Sequence, residues 1–419
     1  MVKSTEFSNG LKLVTEHFPG VRSVSVGFWV GAGSGFETAE NNGISHFTEH
    51  VIFKGTDKYS PFEIAKLFED YGASVNAFTS KESTCYYFKS IDENLEKCFD
   101  LLSHIFYEST FPKEELDKER KVIVEEINMV GDEPEDICYD KLAECSYSGT
   151  SLARTILGPS DNVLRFDGGD VRDYMRRMYT PDNTVVSMVG NIPHELAVKL
   201  VEKYVLPKCG MNKCEKIYPE KTVGGGFSKY EKDFEQVNFA LSFPTIEFDN
   251  ALSSVQSVVS FCLGTGMSSR LFQVLREQKG LVYNVYTSCS AYKNNGLFGI
   301  YVNTGGKNLN AALAAIKDEL TVLCEKGLTE EEVARAKMQL KSNSLFAVEN
   351  MLSTMHAYGK YALYTGKNFS IEENLKRIAS VTRGQTAEFC ERFFDTSKLS
   401  AAYVGKAEYI GSGSLLDCF

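Results

Sequence analysis

The sequence has no apolar run near the roughly 20 residues that a membrane-spanning helix requires, so no membrane partner is expected. Its start, MVKSTEFSNG, shows neither the charged n-region nor the apolar h-region of a secretory signal, and the expected location is the cytoplasm. It also lacks excess basic charge. Lys and Arg total 45 against 56 Asp and Glu, a net charge of −11. No basic run or aromatic–basic interleaving appears, so a nucleic-acid partner is not expected either. None of the eleven cysteines forms a C-x-x-C pair, and their number is odd. That pattern excludes a regular disulfide framework and points to reduced thiols serving mostly as small core residues. Histidine is scarce as well, six in 419 residues, which gives weight to two that stand four residues apart.

A chain of 419 residues exceeds one ordinary core and suits two domains of roughly 200 residues each. The stretch PKCGMNKCEKIYPEKTVGGG, 207–226, breaks the periodic pattern with Pro, Lys and a run of three glycines and reads as a linker near mid-chain. The expected domains are 1–208 and 227–419, joined by 209–226. Equal halves prompt a search for an internal repeat. KLFEDYGASVNAFTS (66–80) resembles VLREQKGLVYNVYTS (274–288), aligning Gly72 with Gly280, Asn76 with Asn284 and Thr79 with Thr287. FPKEELDKERKVIVEE (111–126) resembles GLTEEEVARAKMQLKS (327–342), and NTVVSMVGN (183–191) resembles KLSAAYVGK (398–406). A duplicated fold is the expectation.

Each half mixes strands and helices. VRSVSVGFWVGAG (21–33) alternates in part as a strand does. In SPFEIAKLFEDYG (60–72), Ser60 and Glu63 form a capping box, Pro61 suits the first turn and Gly72 ends the helix. Ile64, Leu67, Phe68 and Tyr71 make its apolar stripe. ASVNAFTS and TCYYFKS then read as a hairpin across Lys81 and Glu82. Strands interspersed with helices without regular βαβ alternation give an α+β class for both halves.

The chemistry is concentrated in NNGISHFTEHVIFKG (41–55). On a helix, His46 and His50 fall on one face and can present two imidazoles to one metal ion, with Glu49 nearby. H-x-x-E-H is the inverted order of the H-E-x-x-H metalloprotease motif, whose glutamate is a general base and not a ligand. A histidine on an apolar helix is more often a hydrogen-bonded core residue. The five-residue pattern together outweighs that reading.

A catalytic zinc ion normally takes three protein ligands, so a third must come from elsewhere. His17, His104, His194 and His356 sit in no pattern that nominates them. The carboxylate-dense segment EELDKERKVIVEEINM (114–129) does better. Glu119 and Glu126 stand two helical turns apart on one face, although a solvated acidic face would look the same.

HFTEH followed at this distance by ERKVIVEE resembles the pitrilysin/insulinase family of zinc metallopeptidases, in the short-chain form related to mitochondrial processing peptidase. GASVNAFTSKESTCYYF, YTPDNTVVSMVGN and GTGMSSRLFQVLREQKGLVYNVYT extend the likeness over nearly the whole chain. The start of the segment SLARTILGPSDNV (151–163) departs from the family's usual form. The resemblance implies Zn2+ bound by His46, His50 and Glu126, Glu49 as general base, and Glu119 as a carboxylate that steadies a histidine. It further implies that Arg276 and Tyr283 lie over the scissile peptide and that Asn76, Ala77, Phe78 and Thr79 form an edge strand to which a peptide substrate adds. The second half has Leu263, Gly266 and Met267 where His46, Glu49 and His50 stand, so it holds no metal.

Such a chain would be one half of a clam-like chamber, completed in a homodimer by the Arg276 and Tyr283 of a second copy, or in a heterodimer with an inactive paralogue. The implied activity is zinc-dependent endopeptidase action on peptides or unfolded segments. Two rivals are a non-catalytic assembly or binding subunit of the same fold, and a peptidase dedicated to maturing one ribosomal peptide.

Overall fold

The computed structural model describes residues 1–410 and 414–419. The first sheet contains β1 (Lys3–Glu6), β2 (Lys12–His17), β3 (Ser23–Val30), β4 (Ser74–Thr79), β5 (Thr84–Ile91) and β6 (Thr184–Gly190), in the order β1-β2-β6-β3-β5-β4. The second contains β7 (Gly226–Glu231), β8 (Gln236–Pro244), β9 (Val282–Ala291), β10 (Gly296–Gly305) and β11 (Ser400–Gly405), in the order β7-β11-β8-β10-β9. Without β1, the two orders are the same. Each sheet also has one parallel pair at the same place, β2 with β6 and β7 with β11, among antiparallel neighbours. The duplication read from three short sequence matches is therefore a duplication of topology, and the class is α+β.

In the first half the helices α1 (Ile44–Val51), α2 (Pro61–Asp70), α3 (Leu95–Glu108) and α4 (Lys113–Val130) follow β3 and the β4–β5 hairpin. The central strand β3 is buried on both faces, which explains why its apolar alternation is incomplete. Val24, Val26, Phe28 and Val30 enter the core shared with α1, α2 and α3. Phe28 meets Phe99 and Phe106 of α3 with ring centroids 5.6 and 5.0 Å apart. The capping box of α2 forms as read, Ser60 Oγ accepting from the Glu63 amide and Glu63 accepting from that of Ser60. Ile64 and Phe68 are buried, while Leu67 and Tyr71 pack at the edge of the core.

The chain forms two compact units that depart from the linear division at 209–226. One comprises Met1–Ile127, Thr155–Ile217 and Leu345–Ser370; the other comprises Asn128–Arg154, Tyr218–Ser344 and Ile371–Phe419. Each half thus contributes one helical segment to the unit of the other. The reason is apolar burial on the outer face of each sheet. Helix α5 (Pro134–Ser146) sets Ile137, Cys138 and Leu142 against Ala240, Ala402 and Val404 of the second sheet. The helix Met351–Thr365 sets Met351, Met355, Tyr358 and Ala362 against Val14, Trp29, Val185 and Val189 of the first. No sequence periodicity distinguishes an apolar stripe that serves its own half from one that serves the other.

This second contact is interlocked by glycine. A Cβ on Gly27 would lie 2.4 Å from Met355 Sδ, and one on Gly359 would lie 2.2 Å from the Trp29 indole. Strand and helix approach there at a distance that only glycine permits. Among the described residues no helix is long and apolar enough to cross a membrane.

Gly359→Ala is expected to force Trp29 or the helix aside and destabilise the first unit by about 1–3 kcal/mol. Urea unfolding followed by Trp29 fluorescence checks this, since the sequence has a single tryptophan; a midpoint equal to wild type would contradict the packing described.

Candidate metal centre

Helix α1 begins at Gly43, whose left-handed φ of 102° turns the chain into the helix. Its apolar residues Ile44, Phe47 and Val51 enter the core, and that burial turns His46, Glu49 and His50 toward α4. On α4, Leu116 and Ile123 are the buried apolar anchors. Glu119 and Glu126 flank Ile123 on the same side, while Glu125 is exposed. Two amphipathic helices distant in sequence thus bring their polar residues together because their apolar residues share a core.

The result is compact. Glu126 Oε2 lies 3.7 Å from His46 Nε2 and 3.4 Å from His50 Nε2. Ligand atoms each about 2.0–2.2 Å from one tetrahedral ion stand on the order of 3.3 Å apart, so these spacings fit a metal. All three ligand atoms lie within 4.8 Å of one another. The His46 Nδ1, by contrast, is buried without a hydrogen-bond partner, which is not the environment of an ordinary hydrogen-bonded core histidine. His50 differs: its Nδ1 donates to Glu119 Oε1 at 3.1 Å, and Lys54 Nζ holds the other Glu119 oxygen at 2.7 Å. That bond places the Nδ1 proton and leaves Nε2 to face Glu126.

The site is electrostatically divided. Burial, reinforced by repulsion from His50, pushes the His46 pKa down to about 4 against the attraction of Glu126. Burial also opposes charge on His50, but Glu119 and Glu126, helped by Glu49, prevail and push its pKa up to about 9. The pairing with His50 holds Glu126 below the usual carboxylate range. Burial pushes the Glu49 carboxyl up, offset in part by a hydrogen bond from Thr79 and by the charge of His50. Thr79 Oγ1 donates that bond to Glu49 Oε2 at 2.6 Å.

Thr79 ends β4, and β4 is the edge strand of its sheet. Asn76, Ala77, Phe78 and Thr79 therefore lie on a strand with one neighbour, β5. Asn76 and Ala77 also line a cavity of about 470 Å3 that opens beside Glu49 and His50 and is walled by Phe53 and Ile64. Arg276 and Tyr283 belong to the second unit. Arg276 is exposed on a π-helical turn, Phe272–Gln278, with its guanidinium over the Phe272 ring, and Tyr283 near the start of β9 is 61% exposed. The stretch aligned with HFTEH, 263–267, overlaps the end of a second π-helical turn, Phe261–Thr265, and Gly266 and Met267 lie beyond it. No second metal-ligating group of His, Cys, Asp or Glu occurs among the described residues.

Several contributors carry no sequence signal of their own. Lys54 reads as a surface lysine and Thr79 as one more strand residue. Gly43 and Gly158 approach so closely that a Cβ on Gly158, at φ 72°, would lie 2.3 Å from the Asn42 carbonyl oxygen. The segment 151–163 thus packs through Gly158 against the start of α1.

Two family descriptions match the chain: Insulinase (Peptidase family M16) over residues 12–160, and Peptidase M16 inactive domain over residues 165–340. A protein of Bacillus subtilis named as an uncharacterized zinc protease is 39% identical, over 91% of this chain and 93% of its own. Proteins of the same description from Streptomyces coelicolor and Rickettsia felis are 35% and 33% identical, over 91% and 95% of this chain and 84% and 96% of theirs. Among solved structures, a protease from Helicobacter pylori superposes with a TM-score of 0.91 at 20% identity, over 97% of this chain and 99% of its own. A Pseudomonas fluorescens structure described as a peptidase M16 inactive domain gives 0.90 at 18%, over 97% and 98%. At those identities the structural likeness establishes the fold.

A divalent metal entering this site must displace the proton that His50 carries below about pH 9, whereas His46, neutral above about pH 4, has none to lose. Binding at pH 7 is expected to release about one proton, with affinity rising up to pH 9 and levelling above it. Calorimetry in buffers of unlike ionisation enthalpy measures this; zero proton release would show that His50 is already neutral at pH 7 and contradict its pairing with Glu119 and Glu126 as an imidazolium.

Proposed function

The chain belongs to the insulinase family, peptidase family M16, and on that premise we propose that it is a zinc-dependent endopeptidase. The observation that carries the proposal is the convergence of His46, His50 and Glu126 within 4.8 Å, with Glu49 on the same short helix as both histidines. Zinc, rather than another divalent ion, is supported by the names of the relatives and by a donor set of two imidazoles and a carboxylate. Assignment as a non-catalytic subunit would leave this complete donor set without a purpose.

His46, His50 and Glu126 hold the ion. When bound, it lowers the pKa of a coordinated water toward neutrality and polarises a peptide carbonyl. Glu119 keeps the Nδ1 proton of His50 and so keeps Nε2 directed inward. Glu49, restrained at Oε2 by Thr79, takes the proton from the attacking water and returns it to the leaving amine. Its raised pKa suits that exchange. The substrate backbone adds to the open edge of β4 at Asn76–Thr79, and one side chain enters the cavity beside His50. Recognition through backbone makes specificity broad; a peptidase dedicated to maturing one ribosomal peptide is the alternative.

The same proposal includes a homodimeric chamber in which Arg276 and Tyr283 of one protomer reach the metal of the other, Tyr283 helping to stabilise the oxyanion. Their exposure in the second unit supports it. Pairing with an inactive paralogue is the alternative. A cytoplasmic address is supported by eleven cysteines that are all unpaired.

Purified protein is expected to cleave a quenched fluorescent peptide library and to contain near one zinc per chain. Glu49→Gln should keep the metal and lose about 10²–10⁴-fold in turnover; turnover equal to wild type at matched metal content would reject the mechanism. Mixing Tyr283→Phe with Glu49→Gln subunits should restore activity through hybrid dimers carrying one intact composite site. No recovery after demonstrated subunit exchange would reject the trans arrangement.

A further inference from the structure

The two histidines of the centre are held differently, and the difference points to a residue outside it. The His50 ring is oriented through its own Nδ1 by Glu119 at 3.1 Å. The His46 ring has no such partner, because its Nδ1 is buried and unbonded. The direction of His46 Nε2 toward Glu126 therefore depends on where the backbone at the start of α1 is placed. That start has no capping side chain of its own, since the capping position is Gly43.

A remote carboxylate supplies the cap. Glu37, only 3% exposed, accepts from the Gly43 amide and from Asn42 Nδ2 at 2.8 Å each on Oε2. On Oε1 it accepts from the Ser45 amide at 2.8 Å and from Ser45 Oγ at 2.5 Å. The Ser45 hydroxyl also meets Tyr174 OH at 2.6 Å. Two backbone donors at the start of the first turn, those of Gly43 and Ser45, are thus bound to one buried carboxylate, which also complements the positive end of the helix dipole. Ser45 is the residue immediately before His46. The loop carrying these donors is fixed from behind as well, by Asn42 Nδ2 to the Thr155 carbonyl and by Asn162 Nδ2 to that of Asn42.

We propose that Glu37 is a positioning residue for the metal centre: by capping α1 it does for His46, through the backbone, what Glu119 does for His50 through the side chain. The inference rests on the metallopeptidase reading above, and it assigns no chemical step to Glu37. A glutamine at this position would keep the shape but turn an amide NH2 toward groups that are themselves donors. The first turn would then have to shift, and His46 with it, while the Glu119–His50 bond stays in place.

The test compares wild type, Glu37→Gln, Glu37→Asp and Ser45→Ala. Zinc affinity is measured by competition with a chromophoric chelator, the visible absorption of the Co2+-substituted proteins is recorded, and kcat and KM are determined on one fluorescent peptide. Glu37→Gln is expected to bind zinc about 10–100-fold more weakly, to give an altered cobalt spectrum, and to lower kcat with KM unchanged. Glu37→Asp, which retains the charge, should recover part of each effect, and Ser45→Ala should weaken zinc binding several-fold. If Glu37→Gln fails to fold, the last two variants decide by the same criteria. Lower thermal stability combined with wild-type zinc affinity and cobalt spectrum would reduce Glu37 to an ordinary structural cap and overturn the inference. Absence of zinc binding by wild type would instead remove the metal reading, and this inference with it.

Discussion

One carboxylate oxygen of Glu126 faces two imidazole nitrogens at 3.4 and 3.7 Å, and much of the first unit serves to keep it there. Four polar groups, His46, Glu49, His50 and Glu126, are gathered where desolvation is expensive. Their charges are tolerable only in combination, one histidine neutral and the other paired with two carboxylates. The polar contacts between the helices, His50 with Glu119 and Glu126, lie over an apolar base. The helices are held by Ile44, Phe47, Val51, Leu116 and Ile123, which belong to one core with the face of β3 that carries Phe28. The centre is a polar exception maintained by apolar packing on its far side.

The duplication explains how one half became free of that burden. Both halves have the same strand order and the same helices after the hairpin, so the burial requirements of the fold are met twice. In the sequence of the second half, Leu263, Gly266 and Met267 align with His46, Glu49 and His50, and π-helical turns occur at Phe261–Thr265 and Phe272–Gln278. The exchange of α5 and Met351–Thr365 makes neither unit a contiguous half of the chain. Each sheet needs its outer face covered, and the covering helix comes from the other half.

The edge strand links architecture to chemistry. β4 has a single neighbour and ends at Thr79, whose hydroxyl holds Glu49. The strand proposed to receive the substrate backbone is therefore the strand that holds the Glu49 carboxyl. An exposed edge is ordinarily a liability in a sheet. Here a cavity, the Glu49 carboxyl and the candidate metal cluster adjoin it.

Much was legible without coordinates, because it is written in local periodicity. His46 and His50 at i and i+4, the Ser60–Glu63 capping box, the hairpin across Lys81 and Glu82, and the shared face of Glu119 and Glu126 all follow from helix and strand repeats. The topology-level repeat followed from matched segments such as 66–80 and 274–288. Glu37 capping a helix that starts seven residues later, Lys54 bracing Glu119 and Gly158 pressed on Asn42 have no periodic signature. Neither does the helix of one half that covers the sheet of the other. The sequence alone determined which residues could share a face, and with them the chemistry available. Tertiary structure decided which faces meet, because apolar burial is indifferent to sequence distance and only closed packing selects the partners.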